Sequence, residues 1–222
     1  MNGTVLGQSW DWLTASSHWS GSDGFTHRIL QHLGYSALTI AIAAVIALPI
    51  GLLIGHTGRL RGLAVVVTGS LRALPTLGVL TYVVLLRGIG LTSAVVALVV
   101  LAVPPLLAGA YAGVEAVDRP TVNAARAMGM NEWQVLTQVE IPLALPLILG
   151  GIRSATLQVV ATATVAAYIG LGGLGRYLFD GLAVQDYPQM VAGSVVVVVL
   201  ALLLDAAFAI AQRGATRAAS PR

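Results

Sequence analysis

The chain has no cysteine and no lysine, and little charge of either sign. Its 222 residues include nine acidic and twelve basic ones, and every basic residue is an arginine. Without cysteine there are no thiolates, no disulfides and no Cys-ligated metal sites. Without lysine there is no P-loop side chain to reach the terminal phosphates of a nucleotide, and no Schiff base. The chain is therefore not an ATPase by itself. Charged residues make up 9% of it, against roughly 25% in an ordinary soluble domain. Aromatic residues are also scarce, at 6%. Three of the tryptophans, Trp10, Trp12 and Trp19, fall in residues 1–28 among Ser, Gly and Asp. That stretch lacks a basic start followed by an apolar run, so it does not read as a secretory signal. It reads as an external, interfacial segment at headgroup level.

What fills the chain instead is Ala, Val, Leu and Ile, in runs that reach the roughly 20 residues a spanning helix requires. The spacing predicts spans at about 29–55, 63–86, 91–113, 143–168 and 190–211. Too many such runs occur for one small core to hide them, so the chain is an all-α integral membrane protein with about five transmembrane helices. Pro75 predicts a kink or break in the second. With the N-terminus outside, Arg59, Arg61, Arg119, Arg126, Arg213, Arg217 and Arg222 lie on the cytoplasmic side, and Arg28, Arg87 and Arg176 outside. That asymmetry favours an external N-terminus and a cytoplasmic C-terminus. The organisation is then an external segment at 1–28, a membrane domain at 29–212 with a cytoplasmic loop at about 114–142, and a cytoplasmic tail at 213–222. No internal repeat is visible, which weighs against an inverted-repeat carrier complete in one chain.

The loop is the unusual part. "NAARAMGMNEWQVLTQVEIPLALP" carries Arg126, Glu132, Gln134, Gln138 and Glu140 between two apolar spans. Asp118 can cap a first short helix, with Pro120 tolerated in its first turn. Gly129 breaks it by adopting positive φ. Asn131 starts a second helix, with Gln134 in capping-box register. Ile141-Pro142 is expected to close that helix before the next span. The charges are of mixed sign, unlike the basic polar face of a helix lying on a membrane surface.

These residues resemble the EAA loop of bacterial ABC importer permeases: Glu-Ala-Ala, three residues, Gly, nine residues, then Ile-x-Leu-Pro. Asn123-Ala124-Ala125, Gly129, Val139, Ile141 and Pro142 match that spacing, with Asn123 for Glu, Val139 for Ile and Ile141 for Leu. "LRALPTLGVL", "LLAGAYAGVEAVD" and "TATVAAYIGLGGLGRYLFDGL" are similar to the permeases for glycine betaine, carnitine and choline. The resemblance implies the type I importer transmembrane domain, of the MetI-like kind. It implies a coupling loop of Asn123, Ala124, Ala125, Met128, Gly129, Met130, Glu132, Ile141 and Pro142 that docks in a groove of a separate ATPase. Ala124 and Ala125 would give the small surface and Met128 and Met130 the adaptable one. The implied partners are a dimer of ATPase subunits that bind ATP and Mg, a second permease subunit (the same or similar), an extracytoplasmic substrate-binding protein and membrane lipid. No cofactor in this chain, no metal, no nucleic acid and no catalytic residue is implied. The implied location is the bacterial cytoplasmic membrane. The rivals are a permease of this scaffold for another solute, such as an amino acid, and an ATPase-independent carrier.

On the fourth span Ser154, Gln158, Thr162, Thr164 and Tyr168 share one arc with Arg153, at about 100° per residue. They either line the pathway or glue helices together. Arg72 needs a partner in the membrane, and Asp205 and Glu140 are the candidates. His18, His27, His32 and His56 have no metal-ligand spacing and read as loop or interface residues. The glycines of "GLGGLG" lack the strand and βαβ context of a dinucleotide site and read as an external turn or a re-entrant gate between the fourth and fifth spans.

The topology is directly testable, because a cysteine-free chain takes single reporters cleanly. In Glu132→Cys the thiol should stay unlabelled by an impermeant maleimide in intact cells and react once the membrane is opened. Labelling of intact cells would overturn the orientation.

Overall fold

The computed structural model describes residues 3–219, with side chains described to residue 217. Arg222, counted above among the cytoplasmic arginines, lies outside the described residues. The described residues are helical with short connections. In chain order they form α1 (Val5–Thr14), α2 (Phe25–Thr57), α3 (Arg61–Arg72), α4 (Thr76–Arg87), α5 (Leu91–Glu115), α6 (Arg119–Ala127), α7 (Glu132–Gln134), α8 (Ile141–Ala166), α9 (Gly175–Val184) and α10 (Tyr187–Ala219). Four helical stretches are long and apolar enough to cross a membrane: Phe25–Thr57, Leu91–Glu115, Glu132–Ile169 and Tyr187–Arg217. Helix is the form such runs must take, because hydrocarbon offers no partner for a free N–H or C=O.

The second predicted span is not one rod. α3 and α4 meet at Ala73–Pro75 with a bend of 89°, so the pair is a broken span or a re-entrant segment. Proline explains the break: it disfavours the helical conformation in the residue before it and donates no hydrogen bond itself. Arg72 ends α3 exposed to the surroundings. Its two expected partners are engaged elsewhere. Asp205 takes a paired contact from Arg153, Nε to Oδ1 at 2.6 Å and Nη2 to Oδ2 at 2.7 Å, and Glu140 lies against His56.

The chain packs as two compact units. One comprises Met1–Thr39, Leu74–Val99 and Leu157–Leu204; the other Ile40–Ala73, Val100–Thr156 and Asp205–Arg222. In the first, Leu80, Leu98, Ala163, Ala166 and Leu171 form one core. Phe25, Leu174, Tyr177 and Ala192 form another, with Trp12 edge-on to both Phe25 and Tyr177. The first core surrounds a helix end where α8 passes through a turn, Ala167–Ile169, into the glycine segment. Gly173 has φ of 86°, and a Cβ there would lie 3.0 Å from the His32 ring. Of the two readings for His32, loop or interface, the structure excludes the loop: it lies within α2 and is 1% exposed. The Leu174 N–H donates to its Nδ1 at 3.4 Å, which leaves Nε2–H to donate to the Val160 carbonyl at 3.0 Å.

In the second unit small residues set the spacing. A Cβ on Gly151 would stand 2.8 Å from the Gly109 Cα, and one on Gly109 would stand 2.6 Å from the Gly151 Cα. α5 and α8 thus touch backbone to backbone, the approach that small residues permit in membranes. α2 and α5 do the same where Gly51 and Gly55 face Ala110, Tyr111 and Val114.

Gly151→Leu should therefore force α5 and α8 apart at a cost of about 1–3 kcal/mol or more. A lowered thermal midpoint in detergent is expected. An unchanged midpoint would show that the two helices do not pack as described.

Candidate functional site

The loop between α5 and α8 folds as an elbow with its own core. Asp118 occupies the cap position of α6 without a side-chain hydrogen bond, and Pro120 sits in the first turn. The chain then reverses at Gly129, whose φ is 88°, a conformation that costs a β-branched residue several times what it costs glycine. Asn131 opens α7 with a reciprocal capping box: the Gln134 N–H donates to Asn131 Oδ1, and the Asn131 N–H to Gln134 Oε1, both at 2.9 Å. The two short helices are clamped by Arg126, whose Nε and Nη2 donate to the two Glu132 oxygens at 2.9 and 2.8 Å. That contact holds the Arg126 guanidinium above its already high ordinary pKa, so the cation persists at any physiological pH.

Ile141-Pro142 does not close the second helix. Residues Val135–Glu140 form a π-helical turn, with the Ile141 N–H bonded to the Leu136 carbonyl, and the helix runs on into α8. A proline ring clashes with the carbonyl four residues earlier in a regular α-helix. The wider π turn immediately before Pro142 relieves that clash and lets the chain enter the membrane without a break.

The elbow has a buried side and a bare side. Val122, Ala125, Val135 and Leu136 pack with Val114, Val117, Ala144 and Ile148. Ala125 is only 2% exposed, so its small side chain seats α6 on this core. Met130 and Ile141 are half-buried against the same cluster. Asn123, Ala124, Met128, Gly129, Glu132 and Pro142 are exposed. Trp133 lies outside the set read from the sequence, yet it is 71% exposed, and Met128 is 76% exposed. Its signal was available: it is the one tryptophan outside the N-terminal segment, and it sits at the second position of α7.

The polar arc of α8 is less buried than the apolar positions between its members. Ala155, Val159, Val160, Ala163, Ala166 and Ala167 are buried, while Ser154 and Tyr168 are exposed and Gln158, Thr162 and Thr164 are half-buried. The Thr162 hydroxyl donates to the Gln158 carbonyl and the Thr164 hydroxyl to the Ala161 carbonyl at 2.5 Å. Both hydroxyls are thus satisfied by their own helix, and neither hydrogen bond joins α8 to another helix. Arg153, one turn before Leu157, donates to Asp205 within the second unit. Among the described residues no cluster of His, Asp and Glu is placed to hold a metal ion.

Comparison with known proteins agrees with this anatomy. Residues 47–217 match the family model for the binding-protein-dependent transport system inner membrane component. The chain is 33% identical over 186 residues to the glycine betaine/carnitine/choline transport system permease protein OpuCB of Bacillus subtilis (strain 168), covering 84% of this chain and 86% of that one. It is 31% identical over 196 residues to the choline transport system permease protein OpuBB of the same organism, covering 88% and 90%. Among solved structures, the inward-facing MetNI methionine ABC transporter superposes with a TM-score of 0.76 at 22% identity, over 86% of this chain and 95% of that one. An amino acid ABC transporter crystallised with histidines gives 0.71 at 19% identity, over 96% and 99%. A multi-pass helical chain, with a polar elbow set between two of its spans and this family match over most of its length, belongs to the binding-protein-dependent inner membrane components, the permeases of ABC importers.

Proposed function

We propose that this permease imports an osmoprotectant or quaternary amine, such as glycine betaine, carnitine or choline, across a bacterial cytoplasmic membrane. The energy comes from a separate pair of ATPase subunits, which bind ATP and Mg and dock on the elbow. The elbow lies in the cytoplasm, in keeping with the arginine asymmetry. A second permease subunit faces the polar arc of α8, and a soluble binding protein delivers the cargo outside.

The observation that carries this reading is the two-sided elbow. Its interior is closed by its own apolar core, so the exposed Ala124, Met128 and Trp133 are not needed for folding. An exposed tryptophan, an exposed methionine and an exposed small residue on one elbow suit a protein groove: tryptophan is enriched at binding hot spots, and methionine repacks readily. The cargo class rests on the relatives named above. The absent lysine fits the same division of labour, with the nucleotide chemistry on another chain.

Two experiments follow. Ala124→Trp and Trp133→Ala should each cut recovery of the co-expressed ATPase by about tenfold or more, with the thermal midpoint of the permease unchanged. Ala125→Trp, in contrast, should lower that midpoint, since it overfills a closed core at a cost of about 1–3 kcal/mol. Normal ATPase recovery and normal uptake in Ala124→Trp would remove the docking reading. For cargo, proteoliposomes holding the permease, its ATPase and its binding protein should accumulate labelled betaine, carnitine or choline only with ATP inside. Uptake by the permease alone would instead establish an ATPase-independent carrier. Uptake of amino acids but none of the three would move the protein to another cargo class.

A further inference from the structure

The docking reading says where the ATPase pushes; it does not say how the push reaches the first long helix. α2 has no covalent link to the elbow, and α3, α4 and α5 intervene in the chain. One side chain closes that gap. His56 stands one residue before the end of α2, and its two ring nitrogens face two carboxylates of the elbow. Nδ1 is 2.5 Å from Glu140 Oε2, and Nε2 is 3.1 Å from Glu132 Oε2. The Nδ1 contact is a hydrogen bond and the Nε2 contact stands at ion-pair distance, so the ring meets a carboxylate on each side.

The two carboxylates play different parts. Glu140 is 2% exposed, and His56 is the partner that its carboxylate meets there. Losing one partner of a buried pair is strongly destabilising, which makes this contact hard to break. Glu132 is the exposed one, and it is held at the same time by both donor nitrogens of Arg126. The series Arg126, Glu132, His56, Glu140 therefore joins α6, α7, the end of α2 and the π turn. Backbone geometry contributes to this convergence. Eight α-helical positions, at about 100° each, would leave Glu132 and Glu140 about 80° apart around the axis. A π turn advances less per residue, and the last six of these eight positions, Val135–Glu140, are in one. The wider turn brings both carboxylates toward the same side, where one imidazole spans them.

The receiving end is stiff. The last two turns of α2 press Gly51 and Gly55 against Ala110, Tyr111 and Val114 of α5, where a Cβ would come as close as 2.6 Å to Ala110 and 2.7 Å to Tyr111 and Val114. A displacement delivered at His56 therefore moves α2 and the facing part of α5 together.

We propose that His56 is the positioning residue that carries motion of the ATPase-docked elbow into α2, as a joint that stays closed through the transport cycle. This rests on the elbow being the docking site. His56 itself lies behind that surface, with a side chain only 10% exposed.

The test uses the complete transporter in proteoliposomes and reads labelled betaine taken up per ATP hydrolysed. His56→Gln keeps a donor for buried Glu140 but cannot span both carboxylates. It should recover the ATPase within about twofold of the unaltered permease and still hydrolyse ATP, while uptake per ATP falls by about tenfold. A second variant reads the joint within one assembled complex. His56→Cys with Glu140→Cys, in this otherwise cysteine-free chain, should be uncoupled when reduced. It should regain most of its uptake per ATP when a short methanethiosulfonate linker ties the thiols, and lose it again on reduction. Unchanged uptake per ATP in His56→Gln would overturn the proposal, as would a linker that blocks transport. Loss of ATPase recovery in His56→Gln, with the ratio intact, would also overturn it by making His56 a support of the docking face. The docking reading fails separately, through normal ATPase recovery in Ala124→Trp.

Discussion

An ionisable group enclosed among this chain's apolar helices needs a partner inside the protein, and much of the structure follows from that demand. Hydrocarbon has no water to offer a carboxylate, an imidazole or a free N–H. Three placements answer it. His32 joins the carbonyl of Val160 to the N–H of Leu174. Arg153 meets Asp205 through two parallel bonds. Glu140 is enclosed against His56. Each bond connects segments far apart in the sequence, so each also fixes how its helices lie within its unit. The same low polarity that makes these groups costly alone makes their pairing directional and durable.

How much of this was legible in the residues depends on the range of the interaction. Runs of Ala, Val, Leu and Ile specify spanning helices by length alone, and four long ones stand close to where the runs fall. Local chemistry was equally readable. Gly129 takes positive φ, and Asn131 and Gln134 form their box, because both depend on neighbours within a few positions. Pairing across the chain was not. Arg72 looked the neediest cation because its own segment is apolar, but the break at Pro75 carries it to an exposed helix end. Asp205 is taken by Arg153 instead, fifty-two positions away. His32 and His56 looked idle for the same reason: their partners lie on other elements.

The elbow shows how a correct pattern can hide the division of labour among its residues. The spacing of Asn123, Ala124, Ala125, Gly129 and Pro142 pointed to a docking loop, and the family match over 47–217 supports the scaffold it belongs to. Yet two adjacent alanines in that pattern face opposite environments. Ala125 seats α6 on Val122, Val135 and Leu136, while Ala124 stays bare. A helical turn separates neighbours by about 100°, so adjacent small residues are seldom small for one reason. Trp133 lies outside the pattern altogether and contributes the largest exposed aromatic surface of the elbow.

The π turn was the least readable feature, because no residue type announces it. Pro142 would ordinarily mark an end, and a reading by propensity stops the helix there. The chain keeps going because its backbone widens over Val135–Glu140, and the widening has two consequences at once. It admits the proline, so that the elbow's second helix and α8 form one continuous lever into the membrane. It also turns Glu140 inward, toward the end of α2. At these positions the π turn gives both the lever and the inward carboxylate. The segment that looked in the sequence like a simple polar interruption between spans is thus the place where the chain departs from α geometry, and that departure joins the exposed elbow to two separate helices.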